Sequence, residues 1–346
     1  MLPKCGPVVW LGQSADTSSI CAGHPELTQA PFLTSLGCAI RRPSLLKSHF
    51  NGALKNKLGI TGPLMVDSGG FVLSTKPNSR WSIETVADCI AGIDADAFVS
   101  LDYPPGIRDS SLERLEKIDL SIENFGRLSD MFQNKKIIPV IHGRTLREIE
   151  YSSELIAAHT PKPKWVGLGG LVAVLQRRRL SGEIAAMTPE RFIGQTLSIV
   201  RRVFPSSIIH VFGAGGTRTF PALFALGADS GDSIGWRQMA GFGSILLPLK
   251  GERTVSLVRA KRRLRRLSQC DLAQLEVCVC PICRSLSSIE SRLGAFQRNF
   301  YNRSIHNAWT IVNQYSFWPK TRSEMMALLE SGGLGRQWAK AASSIR

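Results

Sequence analysis

The chain of 346 residues has little of several features, and each shortage excludes a class of protein. No run of about 18 uncharged apolar residues occurs, so the sequence predicts no membrane-spanning helix. The N-terminal stretch MLPKCGPVVWLGQS has one early lysine and no sustained apolar core, which makes it a poor secretory signal peptide. Eight cysteines in this length are too sparse for a disulfide-stabilised scaffold. We therefore expect a cytoplasmic protein with reduced thiols and no membrane partner.

Acidic side chains are also few. The 27 Asp and Glu residues are outnumbered by 43 Lys and Arg residues, which gives a net charge of +16 at pH 7. This excess favours a polyanionic partner, most simply nucleic acid, although a generally basic surface is the alternative. The basic residues cluster at Lys250–Leu267 and at Arg177–Arg179, and clustering is what a phosphate-tracking surface needs.

Short apolar runs alternate with helical patterns through the middle of the chain. Six runs are interpreted as strands: 63–70, 97–105, 136–143, 164–171, 207–216 and 225–235. Helical spacing lies between them, at 109–133, 144–159 and 189–204. In the first of these helices an apolar stripe is predicted: Leu112, Leu115, Ile118, Ile122, Phe125 and Met131. Apolar strands that alternate with helices indicate a parallel sheet covered by helices.

An open doubly wound sheet and a closed (β/α)8 barrel are both compatible with this alternation. Nearly every apolar run ends in polar residues or glycine, and the C-terminal ends of barrel strands converge on one site. This favours the (β/α)8 TIM barrel. Two more strands are then needed, with candidates at 7–11, 34–40 and 244–249.

The pattern changes after residue 250. We expect a barrel over 1–250 and, over 251–346, a basic segment, a zinc-binding subdomain and C-terminal helices packed on the barrel. These helices are predicted at about 285–300, 304–316 and 322–343. No internal repeat and no long low-complexity linker separates the two parts.

Three of the eight cysteines are crowded into the stretch CVCPIC, and a histidine follows after 22 intervening residues. Three thiolates and one imidazole suit tetrahedral Zn²⁺, and four protein ligands leave no open position for catalysis. The alternative is three unrelated free cysteines. The sequence therefore predicts a structural zinc site with the ligands Cys278, Cys280, Cys283 and His306.

Three aspartates, Asp67, Asp102 and Asp232, each follow an apolar run. A carboxylate at a buried strand end costs solvation energy unless it is hydrogen-bonded or functional. Any one of them alone is compatible with a cap for the following helix. Three that face one barrel mouth indicate an acid/base and nucleophile set instead.

The letters DSGG at 67–70 also surround the nucleophile of trypsin-like proteases. That motif has Gly before the Asp and Pro after the second Gly, whereas Val66 and Phe71 stand in those places here. The trypsin-like fold is antiparallel β and usually disulfide-linked, so a serine protease is rejected. Small residues after Asp67 are instead predicted to line a pocket that a flat ligand can approach closely: Ser68, Gly69 and Gly70.

Five motifs, in this order and at these distances, make the chain similar to the tRNA-guanine transglycosylase superfamily. They are VDSGGF at 66–71, VGLGGLV at 166–172, FGAGG at 212–216, ADSGDS at 228–233 and the CxCxxC…IHN pattern from 278 to 307. The resemblance runs from about residue 60 to about residue 315. It implies a barrel with an inserted zinc subdomain and an exchange in which guanine leaves a nucleotide and a 7-deazaguanine replaces it.

The same resemblance implies roles for the aspartates. Asp232 would be the nucleophile that attacks the ribose C1′, Asp67 the general acid/base, and Asp102 the carboxylate that binds the guanine edge. Other positions would form the base pocket through backbone contacts, a donor to the guanine O6 and a wall: Ser68, Gly69, Gly70, Gly169, Gly170, Leu171, His142 and Phe212.

The chain departs from the tRNA enzymes in two places. His142-Gly143 stands where they have Gln-Gly, and the stretch 233–243 lacks their anticodon-gripping residues. The Asp-Ser-x-x-Trp form around Asp232, the compact length and the basic tract resemble one branch, the 7-deazaguanine DNA transglycosylases of phages and bacterial genomic islands. We therefore expect exchange of guanine in DNA for a free preQ0-type base, in the cytoplasm of a bacterial cell or phage-infected host.

Two alternatives stay open at the level of the sequence. The first is the same base exchange on tRNA. The second is a catalytically idle subunit that only binds nucleic acid or supports an active partner, although the presence of both Asp67 and Asp232 argues against it. Zn²⁺ is the one cofactor expected, and a homodimer or accessory proteins are compatible with the resemblance.

Overall fold

The computed structural model describes residues 7–17, 19–75, 81–175, 187–256 and 265–345. The basic cluster Arg177–Arg179 and positions 257–264 of the basic segment lie outside the described residues. No helix among the described residues is long and apolar enough to cross a bilayer.

Nine parallel strands form the central sheet, in the order β5-β4-β3-β2-β1-β9-β8-β7-β6. Their bounds are β1 Val8–Gly12, β2 Phe32–Ser35, β3 Leu64–Asp67, β4 Ala97–Val99, β5 Ile137–Ile138, β6 Val140–Ile141, β7 Trp165–Leu168, β8 Ile208–Val211 and β9 Ser230–Ser233. All pairs within this sheet are parallel, which agrees with the apolar character of the runs.

The two edge strands of that order, β5 and β6, are halves of one chain segment that Pro139 divides. Proline has no N–H for the ladder. Its carbonyl still accepts a hydrogen bond from Gly167 N–H at 2.8 Å, while Ile138 O accepts one from Ser100 N–H on the other side. One eight-stranded (β/α)8 barrel is therefore closed across this segment, which confirms the predicted fold class.

Seventeen α-helices lie within the described residues. They are α1 Pro25–Thr28, α2 Gly37–Arg41, α3 Ser44–His49, α4 Leu54–Leu58, α5 Gly70–Thr75, α6 Ile83–Gly92, α7 Ser111–Met131, α8 Leu146–His159, α9 Leu171–Leu175, α10 Pro189–Val203, α11 Thr219–Ala225, α12 Gly235–Gly241, α13 Gln269–Glu276, α14 Ile289–Arg298, α15 Phe300–Asn313, α16 Arg322–Glu330 and α17 Arg336–Ser343.

The long barrel helices begin where the sequence supplies an N-cap. Ser110, Thr145 and Thr188 each accept a hydrogen bond from the backbone N–H three residues later, at the starts of α7, α8 and α10. Such caps satisfy backbone donors that have no partner inside the helix. The predicted helices 109–133, 144–159 and 189–204 are thereby confirmed to within a few residues.

Three sequence predictions need correction. The candidate strand 244–249 is not a barrel strand, because β10 (Ser244–Leu247) pairs antiparallel with β11 (Gly251–Thr254). The single helix expected over 322–343 is two helices, separated by a turn in which Gly332 and Gly335 have positive φ angles. The remaining two strands come from 7–11, as predicted, and from Phe32–Ser35, which begins two residues before the predicted 34–40.

The apolar stripe predicted for α7 is narrower than expected. Ile118, Phe125 and Leu128 are buried, but Leu112 and Met131 at the two helix ends are 67% and 51% exposed. The helical spacing of apolar residues predicted that these terminal residues would be buried with the rest of the stripe. The sheet below α7 is shorter than the helix, since β4 has three residues and β5 has two.

The C-terminal helices pack on the barrel and share its core. Ile305, Trp318, Met325 and Trp338 belong to the same buried cluster as the barrel residues. Arg322 of α16 also donates to Asp229 Oδ1 at 2.9 Å, immediately before β9. A domain boundary at residue 250 stays a prediction, and the β10–β11 hairpin crosses this position.

Candidate active site and metal centre

Two of the predicted aspartates lie at strand ends on the same edge of the barrel, and the third follows closely. Asp67 is the last residue of β3, Asp232 is the third residue of β9, and Asp102 comes three residues after β4. Asp67 interacts electrostatically with both other carboxylates. The structure therefore brings the three side chains together at one mouth, as parallel strands require.

Asp102 is held from two sides. Ser68 Oγ donates to its Oδ1 at 2.9 Å, and His142 Nε2 lies 2.7 Å from its Oδ2. All three side chains are buried. The Ser68 hydroxyl therefore serves to hold the Asp102 carboxylate. This structural role accounts for a serine after Asp67 without a nucleophilic function.

His142 also has a polar atom that no described group satisfies. Its Nδ1 is buried and has no hydrogen-bond partner among the described residues, while Nε2 is bonded to Asp102. A buried nitrogen without a partner costs free energy unless a ligand or water meets it. This atom is therefore available to a polar group of a bound base.

Two glycines leave room for these same side chains. A Cβ at Gly70 would lie 2.2 Å from Asp102 Oδ1, and a Cβ at Gly169 would lie 2.3 Å from the His142 ring. Close approach of a ligand is one reason for glycine at these positions. The structure adds a second reason, which is that the pocket's own side chains fill the space where a Cβ would stand.

The remaining predicted pocket residues lie on or beside β7 and β8. Gly169 N–H donates a hydrogen bond to Ile141 O at 3.0 Å, whereas Gly170 is exposed and has a φ of +77°. Leu171 is buried at the start of α9. Phe212 follows β8, and its ring covers Gly167, where a Cβ would be 2.4 Å from the ring edge.

Asp67 has an unusual proton affinity for a carboxyl group. Loss of solvation, followed by the charge of Asp102, raises the pKa of Asp67 to about 7, and Asp232 adds in the same direction. Hydrogen bonds from Ser35 and from the Gly69 N–H, the latter at 3.1 Å, oppose this rise. A carboxyl with a pKa near neutrality can both give and take a proton under working conditions.

The raised pKa predicts how Asp67 affects stability. Unfolded, the group has a pKa of about 3.9, so between about pH 4 and 7 the folded state keeps a proton that the unfolded chain has lost. Stability is therefore lost as pH rises through this range. We expect Asp67→Asn to raise the thermal unfolding midpoint at pH 8, with a gain that shrinks toward pH 4.

Differential scanning calorimetry across this pH range checks the expectation. The matched control is Asp94→Asn, because Asp94 is exposed in the loop before β4, at the opposite end of the barrel. A lower unfolding midpoint for Asp67→Asn at pH 8 would contradict the idea that this carboxylate is destabilised by its neighbours.

Asp232 is buried and receives its hydrogen bonds on one oxygen. Gly213 N–H donates to Oδ1 at 2.6 Å, and His210 Nε2 lies 3.4 Å from the same atom. Its backbone carbonyl accepts from Gly215 N–H at 2.7 Å. The glycine-rich turn after β8 thus fixes the main chain and the side chain of Asp232 together.

The hydrogen-bonded residues that contact Asp232 through His210 were not predicted from the sequence. His210 Nδ1 lies 2.8 Å from Ser230 Oγ, which also accepts from Trp10 Nε1–H at 3.0 Å. These three residues sit on three neighbouring strands, β8, β9 and β1. A histidine inside an apolar strand was the signal in the sequence, but only the strand register reveals its partners.

The four predicted zinc ligands come together away from the barrel mouth. Their ligand atoms all lie within 4.8 Å of one another. His306 Nδ1 is 3.3 Å from Cys280 Sγ and 3.7 Å from Cys278 Sγ. Bonds of about 2.3 Å to sulfur and about 2.0 Å to nitrogen at tetrahedral angles separate S and N by about 3.5 Å, so the set fits a structural Zn²⁺.

The imidazole of this set is oriented by the hairpin. His306 Nε2 donates to Leu246 O at 3.0 Å, which leaves Nδ1 as the lone-pair nitrogen that faces the thiols. The neighbouring Asn307 Oδ1 accepts from Leu246 N–H at 2.7 Å, and its amide donates to Trp236 O at 3.0 Å. The metal centre is thereby joined through α15 to α12, the helix that follows Asp232.

A closed parallel barrel with three carboxylates at one mouth and a separate Cys3His group defines an α/β-barrel protein with a carboxylate site and a structural metal centre. Its family is shown by comparison of sequences. The family model described as "Queuine tRNA-ribosyltransferase" matches residues 38–314, and the chain belongs to that family.

Curated relatives agree with this assignment. The chain is similar to tRNA-guanine(15) transglycosylases of Methanosarcina barkeri, at 24% identity over 72% of this chain and 46% of that protein, and of Methanosarcina mazei, at 23% over 78% and 49%. The corresponding protein of Pyrococcus abyssi is 24% identical over 74% of this chain and 39% of its own length. The chain spans about half the length, or less, of these relatives.

Proposed function

We propose that the protein exchanges guanine in a nucleic acid for another base through a covalent intermediate on Asp232. Asp232 attacks C1′ of the target nucleotide, the C1′–N9 bond breaks, and guanine departs with a proton from Asp67. The arriving base then gives its N9 proton to Asp67 and displaces the carboxylate from C1′. Bonds and protons balance over the two steps.

The observation that carries this proposal is the raised pKa of Asp67, whose carboxyl interacts electrostatically with that of Asp232. Asp67 has a pKa raised to about 7, which suits a group that protonates a leaving base and later deprotonates an arriving one. Asp232 accepts a hydrogen bond from Gly213 N–H, and His210 Nε2 lies 3.4 Å from the same oxygen, so its carboxylate is held in one orientation. A proton-exchanging carboxyl beside an oriented carboxylate is the arrangement expected for an acid/base and a nucleophile.

Base recognition follows from the other buried groups. Asp102, held by Ser68 and His142, can accept from the N1–H and the exocyclic amine of guanine. The other ring nitrogen of His142 is buried without a partner among the described residues and is a second candidate contact for the base. The ring of Phe212 offers an apolar wall. A nucleotide must leave its stack to reach a barrel mouth, so the proposal includes base flipping.

We infer further that the nucleic acid is DNA and that the arriving base is a 7-deazaguanine of the preQ0 type. Three features support this choice. The stretch after Asp232 reads Ser-Ile-Gly-Trp in place of the anticodon-gripping run of the tRNA enzymes, and His142 replaces their glutamine. The net charge of +16 suits a polyanionic duplex.

tRNA is the second candidate substrate. It is favoured by a specific observation, because both the family description and the curated relatives name tRNA. A free 7-deazaguanine base is the partner in either case. Zn²⁺ held by the Cys3His group would support the fold and would not touch the reacting atoms.

An exchange assay separates the candidates. Incubation with labelled guanine or preQ0 and either duplex DNA or tRNA is expected to label DNA. Label in tRNA alone would overturn the choice of DNA while leaving the chemistry intact. No label in either, with tight DNA binding retained, would support an idle binding subunit instead.

A further inference from the structure

We propose that His210 is a positioning residue for the nucleophile: a neutral imidazole, locked in one tautomer by Ser230 and Trp10, that donates Nε2–H to Oδ1 of Asp232. The inference rests on the proposed function, since it concerns the same carboxylate. It names a role for three residues that the motif resemblance does not assign.

The direction of each hydrogen bond follows from the donors available. Indole nitrogen can only donate, so Trp10 Nε1–H gives its proton to Ser230 Oγ at 3.0 Å. The one hydroxyl proton of Ser230 is then free to point at His210 Nδ1, 2.8 Å away. An Nδ1 that accepts leaves the proton of a neutral imidazole on Nε2, which faces Asp232 Oδ1 at 3.4 Å.

Aromatic rings enclose the imidazole of His210. His210 is fully buried, and its ring centroid lies 4.5 Å from that of Phe212 and 6.4 Å from that of Trp165. The series of hydrogen bonds from Trp10 through Ser230 and His210 therefore directs donor dipoles toward the Asp232 carboxylate.

Both donors to the carboxylate reach the same oxygen. Gly213 N–H and His210 Nε2–H converge on Oδ1, and no hydrogen bond within the described ranges reaches Oδ2 of Asp232. Oδ1 is therefore the anchored oxygen, and Oδ2 is the oxygen left to attack C1′. Rotation of the carboxylate away from this attack geometry would break two hydrogen bonds.

Kinetics of adduct formation test the role. We expect His210→Phe to slow formation of the covalent adduct by about 10- to 100-fold, the usual range for one lost hydrogen bond to a charged group, with little change in KM. His210→Gln, which can present an amide N–H near the same place, is expected to recover most of this rate. Ser230→Ala, which unlocks the tautomer, should give an intermediate loss.

Two results would overturn the proposal. One is an unchanged adduct rate in both His210→Phe and Ser230→Ala with both variants folded; the other is equal loss in His210→Phe and His210→Gln, which would indicate a packing role. If His210→Phe fails to fold, Ser230→Ala and His210→Gln still decide the question, since both are smaller changes.

A second readout does not depend on any nucleic acid. Nitrogen-15 NMR of the six histidines in the free protein, with the His210→Gln spectrum for assignment, should show a neutral ring protonated at Nε2. An Nδ1–H tautomer or an imidazolium would contradict the proposal. Absence of exchange in the wild-type protein would instead remove the proposed function and leave this result unaffected.

Discussion

Asp232→Asn is expected to lower the rate of base exchange at least about ten-thousand-fold, because an amide cannot serve as the nucleophile that carries the glycosyl group. The substitution preserves shape, and the Asn side-chain oxygen can still accept from Gly213 N–H. Nucleic-acid binding and the unfolding midpoint should therefore change little. Single-turnover exchange with labelled guanine measures the loss.

The matched control is again Asp94→Asn, an exposed carboxylate at the far end of the barrel. It should retain wild-type exchange. If Asp232→Asn retained exchange within tenfold of the wild type, the assignment of the nucleophile would be wrong, and attention would turn to Asp67 and Asp102.

Removal of the metal is the second large effect. Structural zinc sites of small modules contribute about 10 to 16 kcal/mol of binding free energy, which is as large as the whole stability of a typical domain. Cys280 is fully buried in a cluster with Ile245, Leu275 and Phe296. We therefore expect Cys280→Ser to lose the metal and to unfold the segment that contains α13, α14 and the start of α15.

Metal analysis and hydrogen exchange monitor this variant together. The wild type should hold about one zinc per chain, and Cys280→Ser should lose it while amides of 269–306 exchange faster. Cys270→Ser is the matched control, since Cys270 is exposed on α13 and outside the ligand set. Full metal retention in Cys280→Ser, or unchanged protection without metal, would contradict a structural role.

The metal centre also bears on the active site through a short path. Asn307, next to the ligand His306, bonds to Leu246 and to the carbonyl of Trp236, and the Trp236 indole donates to Gly12 O at 3.0 Å. α12 therefore lies between the Cys3His group and the end of β1.

Much of the fold could be predicted from the sequence because the strands are apolar and end in polar residues. The barrel was predicted from the polar ends of successive apolar runs, the convergence of Asp67, Asp102 and Asp232 from their positions at such ends, and the Cys3His cluster from its spacing. Pro139 lies inside the single strand predicted over 136–143, and the way in which this segment divides and closes the barrel depends on pairing with β4 and β7.

What the sequence could not provide was contact between segments. The strand-like run at 244–249 is apolar like a barrel strand, and only its antiparallel partner Gly251–Thr254 distinguishes it. Ser230 is hydrogen-bonded to His210, 20 positions away, and to Trp10, 220 positions away. Likewise, the clash of a Cβ at Gly70 with Asp102 links positions that no local pattern connects.

The covalent intermediate that we propose on Asp232 can be trapped and located by mass spectrometry. Duplex DNA or tRNA is incubated with the protein without an added base, the complex is denatured and digested with protease, and the peptides are examined by mass spectrometry. We predict release of guanine and a base-free sugar of the strand, bound through C1′ to the peptide that contains Asp232. Release without an adduct, or an adduct on a peptide that lacks Asp232, would contradict it.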